Sequence, residues 1–418
     1  MSSPQWCPND HHRLWDKRED KERENDITMV VRHCDIRLFA DDTCLFITVD
    51  NREKAAAQIN SDLNRISQWA TDWLIDFNPT KTKEMIISYK SDTHEHPHIT
   101  FDNHVVSQVV NHCHLGITLS QNLKWSAHID NVVAKAFKRI DMMRGLMFKL
   151  DRHSLETIYL SFIRPCLEYG DVLLTNASDV DLAKLDSVQK EALRIVVGAT
   201  ARCNTELLND EMDWPSLADR RMQHSLLLMF KIVNGLAPPF LKDLLPDTVG
   251  ENQNYNLRNN DELRVPFARL NVFRDSPILA MITRWNQLNV SVKNKPTYYS
   301  FKKAITIKTG PRKEILYYGK RWAAIHHARI RIGCSKLNEH LCNNLHVIPS
   351  PRCVCDNGVE DSKHFFLTCS LFDGIRPKLI ETISTVTDTV IDMNMLLYGD
   401  RTKTQELKKS SLTSSTPT

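Results

Sequence analysis

Glycine is scarce in this chain, which contains 12 glycines in 418 residues, less than half the average share of about 7 %. Neither a GxGxxG nor a GxxxxGK[ST] pattern occurs, so the sequence does not predict a dinucleotide-binding fold or a P-loop. No apolar run approaches the ~20 residues that span a bilayer, and the N-terminal stretch contains no apolar signal segment. We therefore expect an intracellular protein, nuclear or cytoplasmic, with no membrane partner.

A strong charge imbalance is also missing. The net charge is +3 at pH 7, so any surface that binds nucleic acid must be local. The 11 cysteines are irregularly spaced and no secretory signal accompanies them, which predicts reduced thiols rather than a disulfide framework. Apolar residues make up 42 % of the chain, as in ordinary globular proteins, and the length allows two or three domains.

An acidic pair lies between two stretches of alternating polarity. In DIRLFADDTCLFITVD, residues 35–50, apolar side chains alternate with polar ones on both sides of Asp41 and Asp42. This pattern predicts two antiparallel strands joined by a tight turn that carries both aspartates. Two adjacent carboxylates can hold a divalent cation, but turn preferences alone favour an ordinary solvated turn.

The stretch after this turn mixes helix and strand patterns. Apolar residues at three- and four-residue spacing from Ala56 to Trp73 predict one helix. The segment MIIS at 85–88 predicts a short strand, and further strands are predicted in HITFD, HVVSQV and HCHLGITL.

Long helices are predicted beyond Leu123. They span 126–149, 152–164, 178–197 and 216–234, with breaks at Pro165, Gly198, Pro215 and the pair Pro238–Pro239. The predicted organisation is a polar leader (1–27), a sheet-containing region (28–123), a helical region (124–248), a linker (249–263), a basic helical region (264–345), a Cys/His module (346–375) and a helical, then disordered, tail (376–418).

Three cysteines and a histidine near residue 360 have the spacing C-x-C-x8-H-x4-C. Three thiolates and an imidazole suit tetrahedral Zn²⁺, and the residues are Cys353, Cys355, His364 and Cys369. Because the two sulfurs of a C-x-C strand face opposite ways, zinc binding requires a knuckle, which Pro351 and Gly358 permit. Half-buried structural cysteines are the alternative. Cys334 and Cys342 fit no such spacing and are predicted core residues.

Basic residues are concentrated between Lys302 and Arg331, where nine Lys/Arg accompany a single acid, Glu314. Tyr317, Tyr318 and Trp322 lie among them. Lys320 and Arg321 could contact phosphates while Trp322 stacks on an unpaired base. A helix with its aromatic residues in the core and its basic residues in solvent explains the pattern equally well.

Several short motifs follow the acidic turn in a particular order. After FADD at 39–42 come NPTKTK from Asn78, HLGITL from His114, LKW from Leu123 and AHI from Ala127. TIYLSFIRPCLEYGDVLL, LDSVQKEALRIVVG, NYNLRNNDELRVP and IRIGCSKLNEHL complete the series. This order, over residues 24 to 375, resembles the reverse transcriptase of non-LTR (LINE-like) retrotransposons from the metal-binding turn of the palm onward. The resemblance implies an α+β fold, with a partial palm, a helical thumb-like region and a Cys/His module.

The resemblance also implies an activity, RNA-templated transfer of deoxynucleotides to a DNA 3′ end. It implies that Asp41 is a Mg²⁺ ligand with Asp42 as its partner. It also implies that Lys81 protonates the departing pyrophosphate or neutralises its charge. Leu115 and Gly116 match the turn that cradles the primer end. From the residues alone, Lys81 is as well explained as a solvated loop lysine, and Leu115–Gly116 as a tight turn at a strand end.

The partners that the resemblance implies are RNA and DNA, as a single-stranded template and a primer terminus. It implies no small-molecule substrate beyond deoxynucleotides. The family also carries a Cys/His motif after its thumb, which strengthens the expectation of Zn²⁺.

The sequence departs from the family upstream of the acidic turn. The family's first catalytic aspartate lies on another palm strand, after the fingers, whereas only 40 residues precede Asp41 here. Asp35 is at the start of the same predicted strand as Asp41, and the resemblance places Asp26 in a helix, so neither can replace it. Pro4-Gln5 is followed by Trp6 where the family has glycine. We therefore expect a truncated copy that is inactive alone. A non-catalytic RNA- or DNA-binding remnant is the alternative.

Primer extension tests the expected inactivity. One or two carboxylates do not neutralise the charge of two divalent cations and do not fix their positions. Both the affinity for the cations and the alignment of the reacting groups are therefore expected to be poor. We expect the 418-residue chain to extend a DNA primer on an RNA template, with Mg²⁺ or Mn²⁺, no faster than its Asp41→Ala variant. Extension above that background would contradict the expectation.

Overall fold

The computed structural model describes residues 27–88, 96–200, 203–252, 261–306, 320–385 and 390–399. The chain divides into two compact units, Met1–Ala127 and His128–Thr418. Small sheets occur in the first unit and helices predominate in the second, so the predicted α+β class is confirmed. The predicted leader up to residue 26, most of the predicted linker, Tyr317, Tyr318 and the tail beyond residue 399 lie outside the described residues.

The first unit contains one long helix and eight short strands in its described part. They are β1 (Asp35–Phe39), β2 (Asp42–Phe46), α1 (Arg52–Trp73), β3 (Lys83–Glu84), β4 (Thr100–Phe101), β5 (His104–Val105), β6 (Ser107–Gln108), β7 (Asn111–His114) and β8 (Ile117–Ser120). Strands β1–β2, β4–β5 and β7–β8 form antiparallel pairs, and β3 pairs with β6 in parallel. The strand predicted at MIIS is wrong, because pairing occurs two residues earlier, at Lys83–Glu84.

Helix α1 organises the core of this unit. It begins after Asn51, whose side chain accepts a hydrogen bond from the backbone N–H of Lys54, a typical N-cap. Its buried face packs with Ile99, Phe101 and Val106, and includes Ala56, Leu63, Ile66, Trp69 and Ala70. The predicted apolar stripe is thus confirmed except at Trp73, which is exposed because the helix ends there and Leu74 turns left-handed.

The described part of the second unit is built from helices. The first six are α2 (Ser126–Leu146, which begins in the first unit), α3 (Arg152–Ile158), α4 (Arg164–Glu168), α5 (Asp179–Val197), α6 (Thr205–Met212) and α7 (Leu217–Val233). They are followed by α8 (Pro239–Lys242), α9 (Asn271–Arg274), α10 (Pro277–Asn286), α11 (Val290–Lys293), α12 (Tyr298–Ile305), α13 (Arg321–Arg331), α14 (Asn338–Asn343), α15 (Arg376–Ser384) and α16 (Met393–Tyr398). None of the described helices is long and apolar enough to cross a membrane.

The predicted helix breaks have different outcomes. Pro165 breaks nothing, because a π-helical turn at Tyr159–Ile163 leads into α4 with the proline in its first turn, where the missing N–H is not needed. Gly198 ends α5 as predicted, with φ +81°. A Cβ there would lie 2.4 Å from the side chain of Ile325, so both the backbone angle and the space require glycine.

One prediction about cysteines is wrong. Cys203, just before α6, and Cys334, just after α13, form a disulfide across 131 residues, although the sequence predicts reduced thiols. Cys334 is buried as predicted, whereas Cys342 is only half-buried.

A buried ion cluster joins three helices of the second unit. The Glu211 carboxylate of α6 accepts hydrogen bonds from Arg152 of α3 at 2.9 Å and from Arg331 of α13 at 2.5 Å. All three side chains are at most 3 % exposed. Burial raises the pKa of Glu211, but the hydrogen bonds and charges of the two arginines outweigh it and hold that pKa below its usual value. Removing the acid would leave two buried guanidinium groups facing each other.

Glu211→Gln is expected to lower the free energy of unfolding by about 3 kcal/mol at pH 7, since it leaves buried charges without a counter-charge. Because the folded-state pKa of Glu211 lies below its unfolded value, the carboxylate contributes fully above the ordinary glutamate pKa. That contribution is lost as pH falls through the lowered value, so the variant and the wild type should converge in acid. Urea unfolding at pH 7 and at a series of lower pH values measures both effects. Glu206→Gln, at an exposed position of the same helix, is the control, and an equal loss there would contradict the assignment.

Candidate functional site

The acidic pair lies at the tip of the β1–β2 hairpin, as predicted. Phe39 pairs with Asp42, so Ala40 and Asp41 form a two-residue loop. Ala40 has φ +51°, a left-handed conformation that suits such hairpin loops. Asp41 and Asp42 are both exposed, so a hydrated cation could approach them from solvent. Their roles as catalytic residues stay predictions.

The start of this hairpin is anchored by a buried carboxylate. Asp62 of α1 is fully buried and accepts hydrogen bonds from the backbone N–H groups of Arg32, His33 and Cys34. Burial raises the pKa of Asp62, but these three donors outweigh it and hold the pKa below its usual value. The segment that leads into β1 is therefore tied to α1.

Sequence reasoning missed Asp62, although a signal for it exists. Asp62 falls three residues after Ile59 and four before Ile66, so an acid interrupts the apolar stripe of the helix. A charged side chain on a buried face needs partners, and here backbone N–H groups supply them.

The carboxylates of Asp41 and Asp42 do not form part of a larger ligand group within the described ranges. The group of three or more potential metal ligands found there is the Cys/His cluster of the second unit. A two-metal phosphoryl-transfer site requires a further carboxylate from another strand.

Lys81 follows a compact turn. The Asn78 side-chain oxygen accepts hydrogen bonds from the backbone N–H groups of Thr80 and Lys81, at 3.1 and 3.2 Å, which is an Asx turn. Lys81 is exposed, so its ammonium group is accessible to a ligand. A role toward pyrophosphate stays a prediction.

Leu115 and Gly116 form the two-residue loop between β7 and β8, since His114 pairs with Ile117. Both are left-handed, with φ +48° and +78°, the arrangement of a type I′ turn. Glycine adopts it freely, whereas leucine there costs about 1–2 kcal/mol. The predicted tight turn is confirmed, and the predicted contact with a primer stays a prediction.

The Cys/His cluster brings its four predicted members together. The ligand atoms of Cys353, Cys355, His364 and Cys369 all lie within 4.8 Å of one another. The sulfurs of Cys353 and Cys369 are 3.6 Å apart, and the Cys355 sulfur lies 3.1 Å from His364 Nε2. Ligand atoms of a tetrahedral zinc site, with Zn–S bonds near 2.3 Å, lie roughly 3.5–3.8 Å from one another. The donor set therefore suits a zinc ion, and the separations of 3.1 to 4.8 Å bracket those of a tetrahedral site.

A knuckle overcomes the opposite orientation of the C-x-C sulfurs. The backbone N–H of Cys353 donates to the Gly358 carbonyl at 2.9 Å, and the N–H of Asp356 donates to the Cys353 carbonyl at 3.0 Å. Asp356 and Gly358 have φ +58° and +149°, so the chain reverses within six residues. This reversal brings both sulfurs into one group. It is the predicted knuckle, and Gly358 lies within it.

The other two members lie at the two ends of one π-helical turn, His364–Thr368: His364 is its first residue and Cys369 directly follows it. The N–H of Cys369 donates to the His364 carbonyl at 2.7 Å. Thr368 Oγ1 lies 3.1 Å from His364 Nδ1, which orients the ring with Nε2 toward Cys355, as second partners of metal-bound histidines do. Arg376 donates to the carbonyls of Cys369 and Phe366, at 2.5 and 3.0 Å. Thr368 and Arg376 show no spacing signal in the sequence.

The two C-x-C thiols differ in pKa. The backbone N–H of Asn357, together with the neighbouring thiols and His364, lowers the pKa of Cys355 to about 6. The N–H of Cys355 lowers the pKa of Cys353, but burial and hydrogen bonds with Cys355 and Cys369 outweigh it and raise that pKa to about 11. The lowered pKa of Cys355 favours its thiolate, the form that binds metal.

Two arginines of the basic helix α13 donate hydrogen bonds to backbone carbonyls at the ends of other helices. The Arg321 guanidinium donates to the carbonyls of Met147, Ile195 and Val196 at 2.7–2.9 Å, and Arg329 donates to the Gly198 carbonyl at 2.6 Å. Burial lowers the pKa of Arg321 to about 10. Arg321 therefore caps the C-terminal ends of α2 and α5, and its predicted contact with phosphate stays a prediction.

Two other predicted nucleic-acid contacts are accessible. Lys320 is exposed at the N-terminal end of α13, and Trp322 is 65 % exposed. The indole lies edge-on to His326, with ring centres 6.0 Å apart. A base could therefore reach its face.

Comparisons with known proteins give a consistent set of relatives. The chain is 26 % identical over 188 residues to the RNA-directed DNA polymerase from mobile element jockey of Drosophila melanogaster, 44 % of this chain and 20 % of that protein. It is 24 % and 20 % identical over 190 residues to the probable RNA-directed DNA polymerases from transposons X-element and BS of the same fly, 45 % of this chain and 21 % of each relative.

The matched region spans about a fifth of the length of these curated relatives. No protein-family model matches the sequence, and no solved structure matches it. The resemblance that the motifs predict is thus confirmed by the relatives: over about 45 % of its length, the chain is similar to the RNA-directed DNA polymerases of non-LTR retrotransposons.

Proposed function

We propose that this chain is the part of a non-LTR reverse transcriptase that runs from the acidic turn of the palm through a thumb-like helical region to a zinc-binding module. Its proposed partners are a single-stranded RNA template and a DNA primer. The observation that carries the proposal is the β1–β2 hairpin, which presents Asp41 and Asp42 at an exposed two-residue tip in a chain similar to three RNA-directed DNA polymerases.

The hairpin, the Asn78 turn and the β7–β8 loop give the proposed palm residues distinct roles. Asp41 would bind Mg²⁺ with Asp42 beside it, because hard cations prefer carboxylate oxygens. Lys81 would neutralise the departing pyrophosphate. Gly116 would let the primer backbone come close, since it has no Cβ.

Binding, rather than synthesis by the isolated chain, is the proposed activity. An exposed pair of carboxylates can hold a hydrated Mg²⁺ weakly, but two-metal catalysis needs ligands from more than one strand. Strand synthesis by this chain alone is the alternative, and primer extension with the Asp41→Ala control distinguishes the two.

The Cys/His module would hold one Zn²⁺ through Cys353, Cys355, His364 and Cys369. Four protein ligands close the coordination sphere, so such an ion is structural and organises the fold around it. Helix α14 would be stabilised through the module, because Asn338 donates to the Arg352 carbonyl at 2.7 Å and the N–H of Glu339 donates to the Glu360 carbonyl at 3.2 Å.

Zinc analysis tests the module. The purified chain is expected to contain about one zinc per molecule, and Cys369→Ser should reduce this to background because a hydroxyl is a poor zinc ligand. Cys342→Ser, at a half-buried cysteine outside the cluster, should retain the metal. Equal zinc contents in the two variants, or a zinc-free wild-type chain, would exclude the centre.

Fluorescence anisotropy with a labelled single-stranded RNA tests nucleic-acid binding. Trp322→Ala should weaken binding about 5- to 100-fold by removing a stacking platform. Lys320→Glu should weaken it most at low salt, since it repels phosphates. Lys336→Glu, the same charge change at another exposed lysine, is the control. Lys336→Glu should bind like the wild type. If Trp322→Ala and Lys320→Glu also do so, α13 is not a contact surface.

A further inference from the structure

The three cysteines of the Cys/His cluster differ in their access to solvent. Cys353 is 3 % exposed and Cys369 is fully buried, whereas Cys355 is half-buried. His364, the fourth member, is also buried. A small solute that approaches the cluster from solvent therefore meets the sulfur of Cys355 before the other two sulfurs. Partly exposed thiols react with such solutes, whereas buried thiols are inert.

The three sulfurs lie close enough to react with one another. Those of Cys353 and Cys369 are 3.6 Å apart, and the sulfur of Cys355 lies within 4.8 Å of both. An S–S bond is about 2.05 Å long, so a disulfide within the cluster needs rotation of side chains and not unfolding. The exposed Cys113 belongs to no such group in the described part of the chain.

The knuckle favours Cys369 over Cys353 as the disulfide partner of Cys355. Hydrogen bonds from the N–H of Cys353 to the Gly358 carbonyl at 2.9 Å and from the N–H of Asp356 to the Cys353 carbonyl at 3.0 Å hold the C-x-C segment. A bond between its two sulfurs would strain this tight reversal, because disulfide geometry is narrowly defined. Cys369 follows the π-helical turn on a separate segment, so its side chain can rotate toward Cys355 while the knuckle stays intact.

We propose that the Cys/His cluster is a redox-sensitive zinc site, in which a peroxide oxidises Cys355 and Cys369 to a disulfide and the zinc is released. This inference rests on the proposed zinc module and adds a means of regulating it.

The oxidation takes place in two steps. In the first, the Cys355 thiolate attacks one oxygen of hydrogen peroxide: an S–O bond forms, the O–O bond breaks and hydroxide leaves, so the sulfur is oxidised to a sulfenic acid while the peroxide is reduced. In the second, the Cys369 thiolate attacks that sulfur: an S–S bond forms, the S–O bond breaks and a second hydroxide leaves. Two protons from water convert both hydroxides to water.

The disulfide removes half of the ligand set. Cys353 and His364 remain, whereas a structural zinc site needs four protein ligands. Because metal binding and folding of such modules are coupled, oxidation should also loosen helix α14, which the module holds through the hydrogen bond from Asn338 to the Arg352 carbonyl at 2.7 Å. The zinc-loaded and oxidised chains are thus two states of one module.

The test uses the full chain loaded with zinc and treated with hydrogen peroxide. Released zinc is measured with a chromogenic chelator, and disulfides are mapped by mass spectrometry of peptides prepared without reductant. The zinc content is expected to fall from about one per molecule to near zero, in step with the appearance of a Cys355–Cys369 disulfide. A dithiol reductant followed by zinc should restore the metal content, since a disulfide is reversible and a sulfinic acid is not.

Two variants identify the thiol that reacts first. Cys355→His keeps four ligands, since imidazole also binds zinc, and removes the accessible thiol. It should retain zinc and lose it at least about tenfold more slowly in peroxide, because the remaining thiols are buried. Cys113→Ser, at an exposed cysteine outside the cluster, is the control and should behave like the wild type.

The zinc module and its redox sensitivity fail separately. A chain without zinc before treatment overturns the zinc module and this proposal with it. A zinc-loaded chain that keeps its metal in peroxide, or loses it without the Cys355–Cys369 disulfide, overturns the redox proposal and leaves the zinc module standing. Zinc loss from Cys355→His as fast as from the wild type does the same. If Cys355→His binds no zinc, the disulfide mapped in the wild type decides.

Discussion

The buried carboxylate of Glu211 is the interaction on which the second unit depends most. It lies between the guanidinium groups of Arg152 and Arg331, and it thereby joins α3, α6 and α13. Arg331 also contacts His327 Nδ1 at 2.7 Å, and His327 Nε2 contacts the Leu396 carbonyl of α16 at 3.0 Å. Unpaired charges are very costly in the protein interior. Helix α13 must therefore be in place for the buried charges of Glu211 and Arg331 to be paired in the folded chain.

The same constraint changes the interpretation of the basic segment. Arginine suits both nucleic-acid binding and helix capping, since its planar group donates several hydrogen bonds at once. In this chain Arg321 and Arg329 bind carbonyls at helix ends and Arg331 binds Glu211. Lys320 and Trp322, which are exposed, are therefore the better candidates for contact with a strand. Composition alone could not separate these groups.

Two short loops of the first unit carry residues in backbone conformations that are unfavourable for them. Ala40, beside the acidic pair, and Leu115, beside Gly116, are both left-handed, although neither has glycine's freedom. Strain of this kind persists only where the surrounding structure imposes it. Here the hairpin registers impose the geometry, since they leave Ala40 and Leu115 in two-residue loops. The knuckle at Cys353–Gly358 shows the same principle, since its left-handed residues bring the two sulfurs together.

The sequence by itself determined the parts that depend on local periodicity and turn chemistry. These include the hairpin at Asp41, helix α1, the end of α5 at Gly198 and the membership of the Cys/His cluster. Only the tertiary structure decided the roles of Asp62, Arg321 and Glu211 and the pairing of Cys203 with Cys334. The physical reason is distance along the chain, since Arg321 binds carbonyls more than 120 residues away. A local sequence pattern does not predict which buried donor bonds to which acceptor after the helices have packed.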